Sequence, residues 1–386
     1  IATITSIMKK KFQPKSLTLQ WHITEQCNWR CKHCYQENYE TPEMNLGQME
    51  EILVQFVALV KKWKLPKNRV RMSFTGGEPF LRNDFLSLLE IVNKYSDSFH
   101  WTVLSNGSLL TKDIAQKLKE LEITNFQISL EGVEKTNDEI RGSGSFQKII
   151  WAIQILDQAK IPIRISLTLS KQNYTEIKKL AFQLAPLGVS RLAIRRIAPF
   201  GSKEKQFKNL VLEPQELRNV YREIEKIKKE LIEKKYALKV SGGCENAVFN
   251  DETSSPDLMS YGKCGVIGGN VMTFLPDGDF LICRRLPIKI GNVLTKSLEE
   301  IYYSPLYENF RGENEDVPLE CYPCPIRKSC SGGAKCVTYA LTGKTVPDVQ
   351  CWKLFDSLEE STAYVKHQNW LKKILLLLKV FGSSDV

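Results

Sequence analysis

The stretch LTLQWHITEQCNWRCKHCY, residues 17–35, decides the fold. Its first eight residues are rich in β-branched and aromatic side chains, which predicts a strand over 17–24. The chain then enters a loop that carries Cys27, Cys31 and Cys34, with no fourth cysteine nearby. In parallel barrels the chemistry lies at the carboxyl ends of the strands. The sequence therefore places this loop on the functional face of such a sheet.

The same strand-then-helix pattern recurs up to about residue 235. Further strands are predicted over 69–75, 100–106, 125–131, 162–170 and 190–197. Helical periodicity is found over 47–63, 111–123, 145–159, 174–185 and 213–235. Six βα units imply a parallel sheet with right-handed crossovers, too short to close an eight-stranded barrel. We therefore predict an α/β fold, a partial (β/α)6 TIM-like barrel with an open side.

The pattern changes after about residue 238. Residues 271–285 predict a β-hairpin with a turn at Asp277–Gly278, and IKIGNV at 288–293 predicts one more strand. The cysteine-dense stretch 321–351 has little periodicity and needs ligands to hold it together. We predict an N-terminal extension at 1–16, the barrel at 17–237, a small cysteine-rich α+β domain at 238–355 and a helical tail at 356–386.

Composition narrows the class of protein. Hydrophobic residues make up 42% of the 386 residues and charged residues 25%, which is ordinary for a soluble globular protein. The longest apolar run, residues 374–378, is far below the roughly 20 residues of a membrane span. No secretory signal is recognised, so a cytoplasmic location and no membrane partner are expected. The net charge of +10 is attributed to solvated helix faces, with an acidic partner as the alternative. No arginine-rich stretch with interleaved aromatic residues indicates nucleic acid.

The eleven cysteines are unevenly placed: three lie at 27–34 and eight at 244–351. Close spacing without a secretory signal indicates metal binding rather than a disulfide framework. A [4Fe–4S] cluster that only transfers electrons binds one protein thiolate at each iron, so three thiolates leave one iron open. Two alternatives remain from the spacing alone: a zinc site that uses Cys31, His33 and Cys34, or buried structural cysteines.

Four motifs together resemble one known family. CNWRCKHCY (27–35) resembles the CxxxCxxC signature of radical S-adenosylmethionine (SAM) enzymes, and FTGGEPFLR (74–82) resembles the GGE segment of that family. LSNG (104–107) with ISLEG (128–132) resembles its ribose-side strand ends, and LAIRRIAPFG (192–201) resembles its sixth strand.

The resemblance implies a mechanism and a set of contacts. The open iron would chelate SAM, and one electron from the cluster would cleave SAM to methionine and a 5′-deoxyadenosyl radical that abstracts a hydrogen atom. The SAM ammonium would be held by Glu78 with the carbonyls of Gly76 and Gly77, the ribose by Asn106 and Ser129, and the carboxylate by Arg141, with Ser166 a weaker candidate. His33 would lie beside adenine, whereas His22 is expected to be a core histidine. Glu131 stands where the family often has Asp, which puts its role in doubt.

The C-terminal cysteines resemble a second family feature, the SPASM extension found on many radical SAM enzymes that modify peptides. They are Cys244, Cys264, Cys283, Cys321, Cys324, Cys330, Cys336 and Cys351. The resemblance implies one auxiliary [4Fe–4S] cluster on Cys264, Cys283 and Cys336, with Cys244 as the candidate fourth ligand. An outer cluster would use Cys321, Cys324, Cys330 and Cys351.

Two features of this extension leave alternatives open. The family commonly has a cysteine at the position of Ala334, where this chain has Cys336 two residues later. If Cys244 is not a ligand, the inner auxiliary cluster would have an open iron able to bind substrate, or Cys244 would be a free thiol able to donate a hydrogen atom. A pair of zinc sites is the alternative to both clusters.

The implied function is radical chemistry on a genetically encoded precursor peptide, either thioether or carbon–carbon crosslinking or epimerisation. The implied partners are an electron donor such as flavodoxin or ferredoxin and a separate leader-peptide-binding protein. A tetrapyrrole enzyme of haem biosynthesis and a sulfatase-maturase-like protein oxidase are the alternatives. A non-enzymatic electron carrier is a third class, which would leave the GGE segment unexplained.

Overall fold

A computed structural model describes residues 12–201, 204–242, 264–266, 268–311, 319–343 and 347–354. Most of the predicted N-terminal extension, Cys244 and the predicted tail at 356–386 lie outside the described residues.

Seven parallel strands form the centre of the molecule. They are β1 (Leu17–His22), β2 (Val70–Thr75), β3 (His100–Ser105), β4 (Asn125–Ser129), β5 (Ile163–Leu169), β6 (Val189–Arg196) and β7 (Lys239–Gly242). Each strand pairs with the next one along the chain, so the order in the sheet follows the sequence. This arrangement brings the carboxyl ends of all seven strands to one edge.

Helices connect these strands. They are α1 (Leu46–Lys62), α2 (Phe85–Asn93), α3 (Lys112–Glu120), α4 (Glu134–Arg141), α5 (Ser145–Gln158), α6 (Ile177–Leu184), α7 (Glu204–Lys208) and α8 (Pro214–Glu233). Helix α1 begins at a capping box in which the side chains of Asn45 and Gln48 each accept from the other's backbone N–H. Its apolar stripe, with Ile52 and Phe56, is buried in the same cluster as the strand residues Trp21 and Phe74.

The C-terminal part extends the sheet at its other edge. Strand β8 (Val271–Phe274) pairs parallel to β1, and β9 (Asp279–Cys283) and β10 (Leu286–Asn292) follow as antiparallel strands. The sheet order is therefore β10-β9-β8-β1-β2-β3-β4-β5-β6-β7. Gly278 has φ +86 at the tip of the β8–β9 hairpin, a left-handed conformation that favours glycine there. The described residues of this part also form the short helices α9 (Leu298–Tyr302), α10 (Pro305–Glu308), α11 (Arg327–Cys330) and α12 (Lys335–Thr342).

The predicted fold class is confirmed, including the partial barrel and the C-terminal hairpin. The elements that were not predicted are α2, α4, α7, β7 and the short helices α9 to α12. Strand β7 pairs with β6 beyond residue 237, so the sheet continues past the predicted domain boundary. No helix in the described ranges is long and apolar enough to cross a membrane.

Side chains alternate between the two faces of the strands. Residues such as Trp21, Phe126 and Ile165 are buried together with helix residues on the outer face. The opposite, inner face carries half-exposed or exposed residues, of which most are polar. They are Gln20, Arg71, Ser73, Thr102, Gln127, Ser129, Arg164, Ser166, Thr168, Arg191, Ala193 and Arg195. A polar inner face beside the strand ends is the region in which a polar ligand can bind.

Candidate active site

Two glycines hold the segment that leads into the three-cysteine loop. Gly77 N–H donates to the carbonyl of Thr24 at 2.9 Å, and Glu78 N–H donates to that of Gln26 at 2.7 Å. A Cβ on Gly76 would lie 2.2 Å from the Thr24 oxygen, and one on Gly77 would lie 2.1 Å from the Gln26 oxygen. Both positions therefore require glycine, because the chain just before Cys27 occupies the space of a side chain.

Glu78 is a fully buried carboxylate at the strand ends. It accepts hydrogen bonds from Ser105 Oγ at 2.8 Å and from the backbone N–H of Asn106 at 2.8 Å and of Phe80 at 3.3 Å. Burial raises its pKa to about 7 despite these donors. A buried carboxylate to which no cationic side chain of the described residues is bonded is suited to a cationic ligand group.

Asn106 ties the cysteine loop to β3. Its Nδ2 donates to Asn28 Oδ1 at 2.9 Å, and its Oδ1 accepts from Ser108 N–H at 2.8 Å. Asn28 Nδ2 in turn donates to Ser108 Oγ at 2.8 Å. The predicted contact of Asn106 with ribose stays a prediction, and its observed bonds position the residue next to Cys27.

Glu131 lies between three segments of the site. Its carboxylate accepts from Arg141 Nη2, from Thr168 N–H at 2.7 Å, and lies 3.2 Å from His33 Nε2. Burial opposes ionisation, yet the charges of Arg141 and His33 hold the pKa of Glu131 down at about 2. The carboxylate is 1% exposed and joins the cysteine loop, β5 and the end of α4.

Arg141 reaches the loop directly. Its Nη1 donates to Cys31 Sγ at 3.7 Å, while its Nε is buried without a hydrogen-bond partner among the described residues. One donor of the guanidinium is thus available for a carboxylate ligand, as the predicted role requires. His33 Nδ1 is likewise buried and unpartnered in the described part of the chain.

The three loop thiols fit an iron–sulfur cluster in their chemistry. Cys27, Cys31 and Cys34 are free and partly buried. Backbone N–H groups of Trp29 and Gln36 point at Cys27 and Cys34 Sγ at 3.4 and 3.5 Å, a donor pattern that tunes cluster sulfurs. Burial, despite the Trp29 N–H, raises the pKa of Cys27 to about 11, so a bound metal is needed to hold it as thiolate.

Ser129 and Ser166 lie side by side on β4 and β5. Both are half-exposed on the inner face, and neither hydroxyl has a hydrogen-bond partner among the residues that the structure describes. Their roles toward ribose stay predictions. His22 is 2% exposed at the end of β1, and burial lowers its pKa well below the usual value, as expected for a core histidine.

A cluster that the sequence did not predict links the loop to the C-terminal hairpin. Tyr35, next to Cys34, stacks on Phe200 with ring centroids 4.9 Å apart, and the Arg284 guanidinium lies 4.6 Å from the Tyr35 ring. Arg284 also lies 3.5 Å from Glu25. Since Arg284 follows Cys283, these side chains connect the first cysteine group to the auxiliary one.

The outer auxiliary cysteines lie close to one another. Burial raises the pKa of Cys321 to about 11, and of Cys330 and Cys351 to about 12, and charges within the set of four, which includes Cys324, add to each shift. This proximity supports the predicted grouping of Cys321, Cys324, Cys330 and Cys351.

The inner auxiliary cysteines are less completely described. Cys264, Cys283 and Cys336 all pack against the main apolar cluster, and α12, which carries Cys336, contacts β10 beside β9. Ala334, where the family commonly has cysteine, is instead buried and donates its N–H to Asp348 at 3.0 Å. The ligand assignment stays a prediction. Lys335 lies between the two sets, because the charges of Cys321, Cys264 and Cys330 act on its pKa, which burial lowers.

The described ranges contain no group of three or more His, Cys, Asp or Glu side chains placed to hold one metal ion. In a [4Fe–4S] cluster each thiolate binds a different iron, so the sulfurs need not converge on one point.

Comparisons with known proteins agree with this geometry. Residues 21–184 match the Radical SAM superfamily, and residues 264–325 match the SPASM family, described as an iron-sulfur cluster-binding domain. The "AdoMet-dependent heme synthase" of Methanosarcina barkeri is 26% identical over 337 residues, which cover 84% of this chain and 93% of that protein.

A second relative matches a shorter part of the chain. The "Probable GTP 3′,8-cyclase" of Saccharolobus solfataricus is 32% identical over 219 residues, covering 55% of this chain and 67% of that protein. Among solved structures, Streptococcus suis SuiB bound to S-adenosylmethionine superposes with a TM-score of 0.68 at 21% identity, covering 87% of this chain and 77% of that chain. The likeness to SuiB concerns the fold.

Proposed function

The chain belongs to the radical SAM superfamily and carries a SPASM domain, and from this premise we propose that it cleaves SAM reductively and uses the resulting radical on a tetrapyrrole. The proposed reaction is of the haem-biosynthesis type.

The arrangement at the strand ends supports the SAM-cleaving step. When bound, the cluster and SAM supply one-electron cleavage to methionine and a 5′-deoxyadenosyl radical. Glu78 would accept from the SAM amino group, and the backbone of Gly76 and Gly77 keeps the chain before Cys27 close beside it. Glu131 and Arg141 fix the loop from the opposite side. The buried surroundings of these groups exclude water, which protects a reactive radical.

The tetrapyrrole substrate is supported by one observation, the length of the likeness to the heme synthase. That alignment covers 93% of the relative, and its 337 residues are more than the barrel alone can supply. By contrast, the match to the cyclase is confined to 219 residues. A similarity that extends over both the barrel and the SPASM segment favours a shared substrate class. A similarity confined to the SAM-binding part favours it less.

A precursor peptide is the second candidate substrate. The cysteine pattern that favours it is C-x2-C-x5-C at Cys321, Cys324 and Cys330, which resembles the SPASM extension of peptide-modifying enzymes. In an oxidative reaction, auxiliary clusters would carry away the second electron of the substrate.

One anaerobic assay separates these candidates. The protein is reconstituted with iron and sulfide and mixed with SAM, dithionite and either iron coproporphyrin or a peptide encoded beside the gene. We expect 5′-deoxyadenosine to form faster with the porphyrin, together with a change in porphyrin mass. If only the peptide accelerates 5′-deoxyadenosine formation, and the peptide loses the mass of two hydrogens or takes up deuterium, the substrate is a peptide and the tetrapyrrole proposal is wrong. If no 5′-deoxyadenosine forms under any condition, the proposed radical chemistry is wrong.

A further inference from the structure

The parallel strands have an unusual charge content. Strands β1 to β7 contain no Asp or Glu, but they contain five arginines and a lysine. One of these, Arg196, is 3% exposed and forms a buried ion pair with Asp348, with Nη2 2.7 Å from Oδ2. Four others, Arg71, Arg164, Arg191 and Arg195, alternate with buried residues and belong to the inner face.

These four arginines, which we call the inner arginine cluster, are near one another. Arg164 on β5 is the register partner of Arg191 on β6, and Arg195 is the partner of Thr168, four residues further along each strand. Arg71 lies on β2, separated from β5 by two strands, yet its charge acts on Arg164. The curvature of the sheet therefore brings the side chains together over the inner face.

No acidic group balances this charge in the described ranges. None of the four guanidinium groups forms an ion pair or hydrogen bond there, although the neighbouring ion pair shows that this chain supplies an aspartate where an arginine is structural. Burial first, and then the charges of Arg191, Arg71 and Arg195, hold the pKa of Arg164 below its usual value. Gathering unpaired cations is costly where they are partly buried, as Arg164 and Arg191 are, and an anion bound among them removes that cost.

We propose that the inner arginine cluster is a binding site for the carboxylate groups of the substrate. Planar guanidinium groups bind carboxylates through two parallel hydrogen bonds, which fixes orientation as well as position. Arg164 lies two residues before Ser166 on β5, about 7 Å along the strand. A molecule whose carboxylates are held by the cluster therefore lies directly beside the region predicted for the ribose of SAM.

This inference deepens the proposed function and depends on it only for the choice of a tetrapyrrole. Carboxylates also occur on the Asp and Glu side chains of an acidic peptide. The chemistry of the site is the same for both sources, so the experiment needs one probe for each.

Binding is measured on the reconstituted protein without reductant, so that no turnover is required. The probes are coproporphyrin III, its uncharged tetramethyl ester and an oligoglutamate peptide. The variants are Arg164→Gln, Arg191→Gln and Arg164→Lys, with Lys148→Gln on the exposed side of α5 as the matched control. We expect each Arg→Gln change to weaken coproporphyrin binding about tenfold or more. The coproporphyrin affinity of Arg164→Lys should lie between those of wild type and Arg164→Gln. Binding of the ester should not change with any of the substitutions.

Thermal unfolding without a probe separates a binding role from a structural one. Because Arg164 is surrounded by unpaired positive charges, Arg164→Gln should leave the melting temperature unchanged or raise it. A structural role predicts a lower melting temperature, and that result or unaltered coproporphyrin and oligoglutamate affinity overturns the proposal. Arginine-dependent binding of oligoglutamate alone would support the site and contradict the tetrapyrrole. Basal 5′-deoxyadenosine formation with SAM and dithionite tests the proposed SAM cleavage separately.

Discussion

Nε2 of His33 lies 3.2 Å from Oε1 of Glu131, so a residue between two loop cysteines contacts a carboxylate that follows β4. The same carboxylate bonds Arg141, whose Nη1 donates to Cys31 Sγ at 3.7 Å. The loop is therefore held from its inner side by one buried ionised group. This contact gives a structural role to the Glu131 position, where the family often has Asp.

Replacing Glu131 with Gln should destabilise the protein strongly. The change leaves the Arg141 charge buried without its partner, which costs about 3–5 kcal/mol in comparable cases. Urea unfolding of the metal-free protein measures the difference. Glu131→Asp keeps the charge and should cost less, and Glu233→Gln, an exposed change on α8, should alter the free energy of unfolding by less than about 0.5 kcal/mol. Equal effects of the Gln and Asp variants would contradict an ionic role.

Glu78 should make the metal-free protein less stable as the pH rises. Its pKa is raised to about 7, so between pH 4.5 and 7 the folded state binds a proton that the unfolded state has lost. The contribution of Glu78 to the free energy of unfolding is therefore present at low pH and lost by about pH 8. The free energy of unfolding falls by about 3 kcal/mol over this range. We expect this decline in wild type and not in Glu78→Gln, measured as the difference between their unfolding free energies at pH 5 and pH 8. Parallel curves for the two proteins would show that the Glu78 carboxyl does not titrate in this range.

Gly77→Ala should prevent the loop from taking its position. The added Cβ would lie 2.1 Å from the backbone oxygen of Gln26, and backbone cannot move aside as a flexible side chain can. We expect reconstituted Gly77→Ala to lose the N-terminal cluster, about four irons per protein, while the auxiliary irons remain. Gly47→Ala near the start of α1 meets only the Asn45 side chain at 3.3 Å and should keep the full iron content. Normal iron content in Gly77→Ala would mean that the segment before Cys27 tolerates displacement.

The sequence predicted the local elements better than the contacts between them. Strand β5 was recognised because Ile163, Ile165 and Leu167 alternate with polar residues, and α3 because Thr111 caps it through Ile114 N–H at 3.2 Å. Helix α4 was missed because EKTNDEIR offers almost no apolar periodicity, yet it carries Arg141.

The residues of the site were likewise easier to predict from the sequence than the contacts between them. The cysteine loop was recognised from its spacing, whereas Glu78 and Arg141 were named from the resemblance to radical SAM enzymes, and their contacts with SAM stay predictions. The contact between Tyr35 and Arg284 and the inner arginine cluster could not be predicted, because the residues that meet come from segments far apart in the sequence. The pairing of β8 with β1 and of β5 with β6, together with the curvature of the sheet, brings these residues together.

The two auxiliary groups should lose iron independently. Cys351→Ala removes a predicted ligand of the outer group and should cost about four irons per protein, as should Cys264→Ala in the inner group. The double variant should lose about eight, because the thiols belong to different clusters. A single substitution that empties both sites would show that Cys351 and Cys264 share one cluster or that one site cannot form without the other. Iron analysis with electron paramagnetic resonance of the reduced proteins distinguishes the species.

The Arg196–Asp348 ion pair should couple the barrel to the outer cysteines. Both side chains are 3% exposed, and Asp348 also accepts from the backbone N–H groups of Ala334 and Gln350 at 3.0 Å. Asp348→Asn leaves a buried guanidinium without its counter-ion and should cost about 3–5 kcal/mol.

A double-mutant cycle with Arg196→Met tests whether this cost belongs to the pair. Removing the arginine as well takes away the unpaired charge, so the double variant should be more stable than Asp348→Asn alone, with a coupling energy of about 1–3 kcal/mol. The hydrogen bonds of Asp348 to the backbone of Ala334 and Gln350 do not depend on Arg196. Part of the loss in unfolding free energy should therefore persist in the double variant. Strictly additive single effects would mean that Asp348 acts only through the backbone around Cys336 and Cys351, and that the barrel does not contribute to holding the outer cysteines.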